Sequence, residues 1–241
     1  MVKKINILVT GGTGFVGKNL IPLIKNNYNV KILTRKTEKG EKFIVGDLRN
    51  YNDAERATNN IEVMIHLAYS KNYSENIKIT QNVIDACKKN KIKKIILLSS
   101  MSAKRIHPDE YGKNKLQIEN MIKKSGLNYT ILRPSIIYGK GSRSFDFIIN
   151  YMEKIPFFTP IIGSGKYVII PVHIKDVVKS IEKCIKNKKT DKKEYDIVGG
   201  EKVYFISLIN ILKKEVNCKK KNIHVPIFAC NMISNFFPKI I

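Results

Sequence analysis

Arginine is scarce in a strongly basic chain. Of 44 basic residues in the 241-residue sequence, only six are Arg: Arg35, Arg49, Arg56, Arg105, Arg133 and Arg143. Forked recognition of phosphates and base edges leans on arginine. The net charge of +24 therefore reads as a generic lysine-rich surface rather than a nucleic-acid interface. It sits among many Asn and Ile residues, as an AT-rich genome would encode. The charge still draws anionic small molecules toward the protein. Cysteine is sparse as well. Cys87, Cys184, Cys218 and Cys230 stand far apart with no CxxC or Cys/His cluster. That argues against a metal site and fits reduced thiols in a cytoplasmic protein. No apolar run approaches the ~20 residues of a membrane span. The segment from Val225 to Phe237 is broken by Asn231, Ser234 and Asn235. No leader is expected, because Met1-Val2-Lys3-Lys4 runs straight into a strand.

What remains is the composition of a folded domain: 43% of residues are hydrophobic, enough for a core and too many for a disordered chain. The length suits one full α/β domain with a small appended lobe. Continuous apolar runs predict buried strands at Ile5–Thr10, Asn29–Thr34, Lys42–Val45, Ile61–Leu67, Ile92–Leu98 and Tyr129–Leu132. Amphipathic segments predict helices over 14–26, 52–58, 74–89 and 110–125. Strands alternating with helices at this spacing predict an α/β, doubly wound parallel sheet with helices on both faces. Beyond Pro134 the texture changes. Helices are predicted over 145–154, 172–185 and 205–216, and a strand over 195–198. A Pro-rich stretch runs through Pro156, Pro160 and Pro171. The expected organisation is a dinucleotide-binding core over 1–135. A small C-terminal substrate lobe over 136–241 follows, with segments returning to the core sheet.

The turn after the first strand reads Thr10-Gly11-Gly12-Thr13-Gly14-Phe15-Val16-Gly17. Of its glycines, Gly11 permits a tight turn, Gly14 lets backbone approach a pyrophosphate, and Gly17 allows close helix-to-strand packing. The helix that follows offers free N–H groups and the positive end of its dipole. This is the pattern of a Rossmann fold that binds a nicotinamide dinucleotide. The second strand ends Thr34-Arg35-Lys36, without the acidic residue that holds the ribose hydroxyls of NAD. Arg35 and Lys36 can pair with a 2′-phosphate, which favours NADP(H) over NAD(H). The alternatives for Arg35 are solvation or stacking on adenine. Asp47, before Leu48, can accept from an adenine amino group or cap the next turn. Leu67 and Ala68 end the fourth strand, where small residues let backbone pass near the cofactor. His66 reads as structural rather than catalytic.

Tyr111 and Lys115 are four apart and share a helical face. A tyrosine of ordinary pKa near 10 is a poor base at neutral pH, and a neighbouring ammonium is expected to pull that value down. Such a pair can pass a proton to or from a substrate oxygen while hydride moves to or from nicotinamide. The preceding strand ends Leu98-Ser99-Ser100-Met101-Ser102. Ser100, and after it Ser102, is the hydroxyl expected to bond the substrate oxygen.

In order along the chain, these motifs are followed by Arg133-Pro134-Ser135-Ile136-Ile137-Tyr138-Gly139, Pro171-Val172-His173-Ile174-Lys175-Asp176-Val177 and Tyr195-Asp196-Ile197-Val198-Gly199-Gly200. Together they resemble the epimerase/dehydratase branch of the short-chain dehydrogenase/reductase superfamily over nearly the whole chain. Within it they are most similar to atypical members such as the accessory subunit of respiratory complex I. The resemblance implies an NAD(P)-dependent oxidoreductase or epimerase acting by hydride transfer on a hydroxyl or carbonyl, a nucleotide sugar among the candidates. The alternative it implies is a non-catalytic dinucleotide-binding module, structural or redox-sensing. It places Tyr111, Lys115 and Ser100 in catalysis. It places Gly11, Gly12, Thr13, Gly14, Phe15, Val16, Gly17, Arg35, Asp47, Leu48, Leu67, Ala68, Lys115 and Pro134 at the cofactor. Arg133 to Tyr138 would border nicotinamide and substrate, and His173 and Asp176 would be structural or line the lobe interface. A monomer or a homodimer through the helices near 74–90 and 110–125 is implied. Met101 stands where many extended members carry Ser or Thr, and the loop from Ser100 to Tyr111 is short. The end at Ile241 suggests a reduced substrate lobe.

Overall fold

The computed structural model describes residues 3–36 and 42–226. Cys230 and most of the apolar stretch after Val225 lie outside the described residues. The elements run β1 Asn6–Thr10, α1 Phe15–Ile24, β2 Asn29–Thr34, β3 Phe43–Val45, α2 Tyr51–Thr58, β4 Val63–His66, α3 Tyr73–Lys89 and β5 Lys94–Leu98. A 3₁₀ turn at Met101–Lys104 precedes α4 Glu110–Lys124 and β6 Tyr129–Pro134. Then come β7 Ile137–Tyr138, α5 Arg143–Lys154, β8 Phe158–Ile162, β9 Val168–Ile169, β10 Val172–His173, α6 Ile174–Lys186, β11 Lys193–Ile197, β12 Val203–Tyr204, α7 Phe205–Glu215 and β13 Lys221–Val225. The chain divides into two compact units: Met1–Ser135 with Val172–Val198, and Ile136–Pro171 with Gly199–Ile241.

The first unit is built on a seven-stranded sheet in the order β11-β6-β5-β4-β1-β2-β3. Every pairing in it is parallel. Strand order reverses direction between β1 and β4, and open α/β sheets bind ligands at such a switch point. Both faces are covered, so the central strands carry continuous apolar runs rather than alternation. Ile7, Leu8 and Val9 of β1 are all fully buried. Leu8, Met64, Ile95, Leu97 and Ile131 pack one face against Ala54, Val83, Ile84, Cys87, Ile118 and Ile122 of α2, α3 and α4. α1 packs against α6, which also touches β5 and β6. Side-chain caps set the helix starts. Asn50 accepts from Asn52 at α2, Asn72 from Ser74 at α3, and Asp109 from Gly112 at α4.

In the second unit β8 pairs in parallel with β13 and β9 pairs antiparallel with β12. Met152, Ile161, Leu208, Ile209 and Leu212 form its core. One expectation needs correction here, and the Pro-rich stretch, to which the sequence pattern assigns no element, contains β8 and β9. Each strand of a two-stranded ribbon keeps one free edge, which tolerates the donor missing at Pro160. The helix expected from Val172 begins at Ile174, after β10, because His173 caps it by accepting the Lys175 N–H at 3.2 Å. No helix among the described residues is long and apolar enough to cross a membrane.

Candidate active site

The glycine-rich turn is shaped by close contacts that exclude side chains. Gly11 has φ +69°, and a Cβ on it would lie 2.7 Å from the Ala68 nitrogen and 2.8 Å from the Leu67 carbonyl carbon. A Cβ on Gly12 would meet Ile32 at 2.7 Å, and one on Gly17 would lie 2.4 Å from the Gly12 Cα. Gly14 differs: its Cβ would meet only the Gly11 oxygen, at 3.2 Å. The Gly14 N–H donates to that oxygen at 3.0 Å and closes the turn. Gly14 caps α1 with no side chain, and no acidic residue stands in the first turn. The positive end of α1 therefore faces an open glycine cradle. This fits the pyrophosphate of a dinucleotide, with Thr13 exposed and Phe15 and Val16 half-buried at its rim. Thr10 anchors the far side. The Ala68 N–H donates to the Thr10 hydroxyl at 3.4 Å, and that hydroxyl meets His66 Nδ1 at 2.8 Å. His66 is buried, and burial followed by the charge of Lys115 pushes its pKa down to about 4. It is a neutral structural imidazole.

At the other end of the cradle, Arg35 and Lys36 are exposed at the tip of β2. Asp47 is gripped by Arg49, whose Nε and NH2 lie 3.0 and 2.6 Å from Oδ2. These bonds, with smaller contributions from the charges of Arg49 and Arg35, hold the Asp47 carboxyl below its usual range. Arg49 reaches on to Glu75 Oε1 at 3.3 Å. Leu48 turns its side chain into the core, and its carbonyl accepts from Asn82.

The candidate acid–base residues converge at the end of β5. Ser100 caps the 3₁₀ turn, and its hydroxyl accepts the Ser102 N–H at 3.2 Å. The same side chain acts on the Tyr111 phenol and favours its ionised form. Lys115 Nζ donates to the Leu98 carbonyl at 3.2 Å and lies 5.8 Å from the centre of the Tyr111 ring. The expected lowering of the Tyr111 pKa is corrected by this arrangement. Burial raises it, while the Ser100 side chain pulls the other way. The Lys115 ammonium is engaged with Leu98. Burial brings Lys115 itself down to about 8, opposed by the carboxylate of Glu119.

Three residues of this cluster were not singled out from the sequence. Tyr69 stands edge-on to Tyr111, with ring centroids 5.3 Å apart, and its face lies 4.0 Å from Lys115 Nζ. Its hydroxyl donates to Asn114 Oδ1 at 3.0 Å. Buried Asn114 also accepts from Asn76 and donates to the Tyr73 carbonyl. Helical phase could have flagged Asn114, which is polar on an inward face beside Lys115. Nothing local marks Tyr69. The Arg133 guanidinium is buried against Glu119, with Nε–Oε1 at 2.9 Å, and also binds Glu194. It braces β6, α4 and β11. Pro134 ends β6 and is buried.

The parallel sheet with its glycine cradle, and the candidate acid–base cluster two strands away, define an NAD(P)-dependent oxidoreductase or epimerase/dehydratase of the short-chain dehydrogenase/reductase superfamily. A family model described as NAD(P)H-binding matches residues 11–150, more than half of the chain, and the protein belongs to that family. Among curated proteins the chain is similar to N-acetyl-alpha-D-glucosaminyl-diphospho-ditrans,octacis-undecaprenol 4-epimerase of Escherichia coli O157:H7. The two are 25% identical, covering 92% of this chain and 75% of that protein. It is 26% identical to UDP-glucose 4-epimerase of Vibrio cholerae, covering 97% and 83%. Its fold matches the crystal structure of UDP-glucose 4-epimerase from Thermotoga maritima with UDP-glucose. The TM-score is 0.77 at 23% identity, covering 92% of this chain and 86% of that one.

Proposed function

We propose that this chain catalyses reversible hydride transfer at a hydroxyl of a nucleotide-linked sugar, with Tyr111 as acid–base, Lys115 as its electrostatic partner and Ser100 as the substrate-oxygen ligand. The observation that carries the reading is the gathering of Ser100, Tyr111 and Lys115 at the end of β5, with Lys115 Nζ 5.8 Å from the centre of the Tyr111 ring. The sugar-nucleotide class is supported by the names of the relatives.

When bound, the nicotinamide supplies reversible acceptance of hydride. The cradle from Gly11 to Gly17 and the bare end of α1 would hold the pyrophosphate of the dinucleotide. Arg35 and Lys36 favour the 2′-phosphate of NADP(H), since no carboxylate stands at the end of β2. Tyr111 rests protonated, because burial disfavours its phenolate. In the reducing direction it donates its proton to the substrate carbonyl oxygen. In the oxidising direction it must first lose that proton, and the Ser100 hydroxyl and the Lys115 charge stabilise the phenolate that results.

The test is incubation of purified protein with UDP-glucose or UDP-N-acetylglucosamine and either NAD⁺ or NADP⁺, followed by chromatography for the 4-epimer and absorbance at 340 nm. Product formation that Tyr111→Phe lowers about 10³-fold, within the range for general acid–base groups, supports the reading. Equal turnover by Tyr111→Phe overturns it.

A further inference from the structure

One aromatic ring touches both halves of the proposed acid–base pair. Tyr69 follows β4 directly, where the chain passes the glycine cradle. Lys115 Nζ is 4.0 Å from its centroid, and the Tyr111 ring meets it edge-on at 81°. Its own position is held at the hydroxyl, through Asn114 Oδ1. Asn114 is in turn bonded to Asn76 Nδ2 at 3.2 Å and to the Tyr73 carbonyl at 3.0 Å. Asn76 ties the loop back on itself by accepting the Ser70 N–H at 2.8 Å. Four segments (the β4 loop, the start of α3, α4 and the end of β5) thus converge on the ammonium.

Desolvation makes a buried lysine costly to charge. An aromatic face repays part of that cost, because its negative quadrupole attracts a cation most strongly where water is excluded. The Leu98 carbonyl is the ammonium's other acceptor. The charged and titratable groups around it are Tyr111 and Glu119 on its own helix, His66 on β4, and Tyr73 and Asp109 beside the tyrosine pair. Of these, Glu119 is already committed to Arg133, and His66 is neutral.

We propose that Tyr69 is a positioning residue of the acid–base pair, holding the Lys115 ammonium on its ring face and the Tyr111 ring in a T-shaped contact. This rests on the proposed role of Tyr111 and Lys115, and the first measurement stands apart from that role. In the full-length protein labelled with [¹³C]lysine, the ring face displaces the Lys115 Hε/Cε resonance upfield, with the assignment made by Lys115→Arg. That resonance is expected to titrate near 8, well below ordinary lysines. Tyr69→Phe keeps the face, and both signatures persist. Tyr69→Leu keeps apolar bulk without the face. The upfield displacement is lost and the midpoint falls by about half a unit to one unit, as expected for a desolvated cation–π contact.

With UDP-glucose as the probe substrate, Tyr69→Leu also lowers kcat and moves the alkaline limb of its pH profile down by the same amount, while KM holds. Tyr69→Phe restores the limb. An unchanged resonance in Tyr69→Leu, or a raised midpoint, overturns the proposal. Should the unmodified protein turn over no nucleotide sugar, the functional reading fails while the lysine titration still decides the role of Tyr69.

Discussion

Gly17 is seated so closely on Gly12 that a methyl group at Gly17 would lie 2.4 Å from the Gly12 Cα and oxygen. Gly14, midway in the same turn, has almost nothing within 4 Å of its would-be Cβ. The two glycines therefore serve different ends, one packing and one access. Gly17→Ala is expected to destabilise the fold by about 1–3 kcal/mol, the usual cost of overpacking. Gly14→Ala is expected to keep its melting temperature and to lose dinucleotide affinity at least 10-fold. Thermal denaturation and calorimetric titration with NADPH separate the two outcomes.

The buried pair of Arg133 and Glu119 predicts a large stability effect. Glu119 is wholly buried, so Arg133→Met leaves an unpaired carboxylate in the core. The expected loss is about 3–5 kcal/mol, read from urea unfolding. The double variant Arg133→Met with Glu119→Leu should recover most of it.

His66 makes stability depend on acid pH. Its folded pKa is near 4, below the ordinary ~6.5 of an unfolded histidine. Between those values the unfolded chain binds a proton that the folded protein refuses. Stability is thus lost as pH falls from about 6.5 toward 4, by up to about 1.4 kcal/mol per unit. His66→Asn, which removes the titrating group, should flatten the melting-temperature profile over that window.

Lys115 predicts a conflict between stability and activity. Its folded pKa of about 8 lies below the ordinary ~10.4, so its charge opposes folding at neutral pH. That penalty fades as pH rises from about 8 to 10. Lys115→Met is expected to raise stability at pH 7 by about 1–2 kcal/mol, after allowing for the lost bond to Leu98. It should also abolish turnover. In the unmodified protein, turnover should fall as pH rises through about 8.

Arg35 predicts the choice of cofactor. Arg35→Asp removes a partner for the 2′-phosphate and adds one for ribose hydroxyls. NADPH affinity should drop about 10- to 100-fold, the worth of a charge-assisted bond, while NADH affinity holds or rises. Calorimetry with both nucleotides checks it.

Local chemistry was legible in the sequence. The spacing of Gly11, Gly14 and Gly17 encodes a strand-turn-helix junction. Tyr111 and Lys115 share a face because four residues nearly complete a helical turn. Strand and helix periods marked the elements of the parallel sheet to within a residue or two at most ends. Short strands in the Pro-rich stretch escaped, since two to five residues are too few to show a period.

The sequence by itself determined the doubly wound sheet, its glycine cradle and the candidate acid–base residues, because each depends on neighbours a few positions apart. Only the tertiary structure decided what surrounds them. It placed Tyr69 on Lys115 across 46 positions of chain, Arg133 on Glu119 from another element, and the protonation states of His66, Tyr111 and Lys115. Those depend on which distant segments exclude water from a site, and burial is a property of the packed whole.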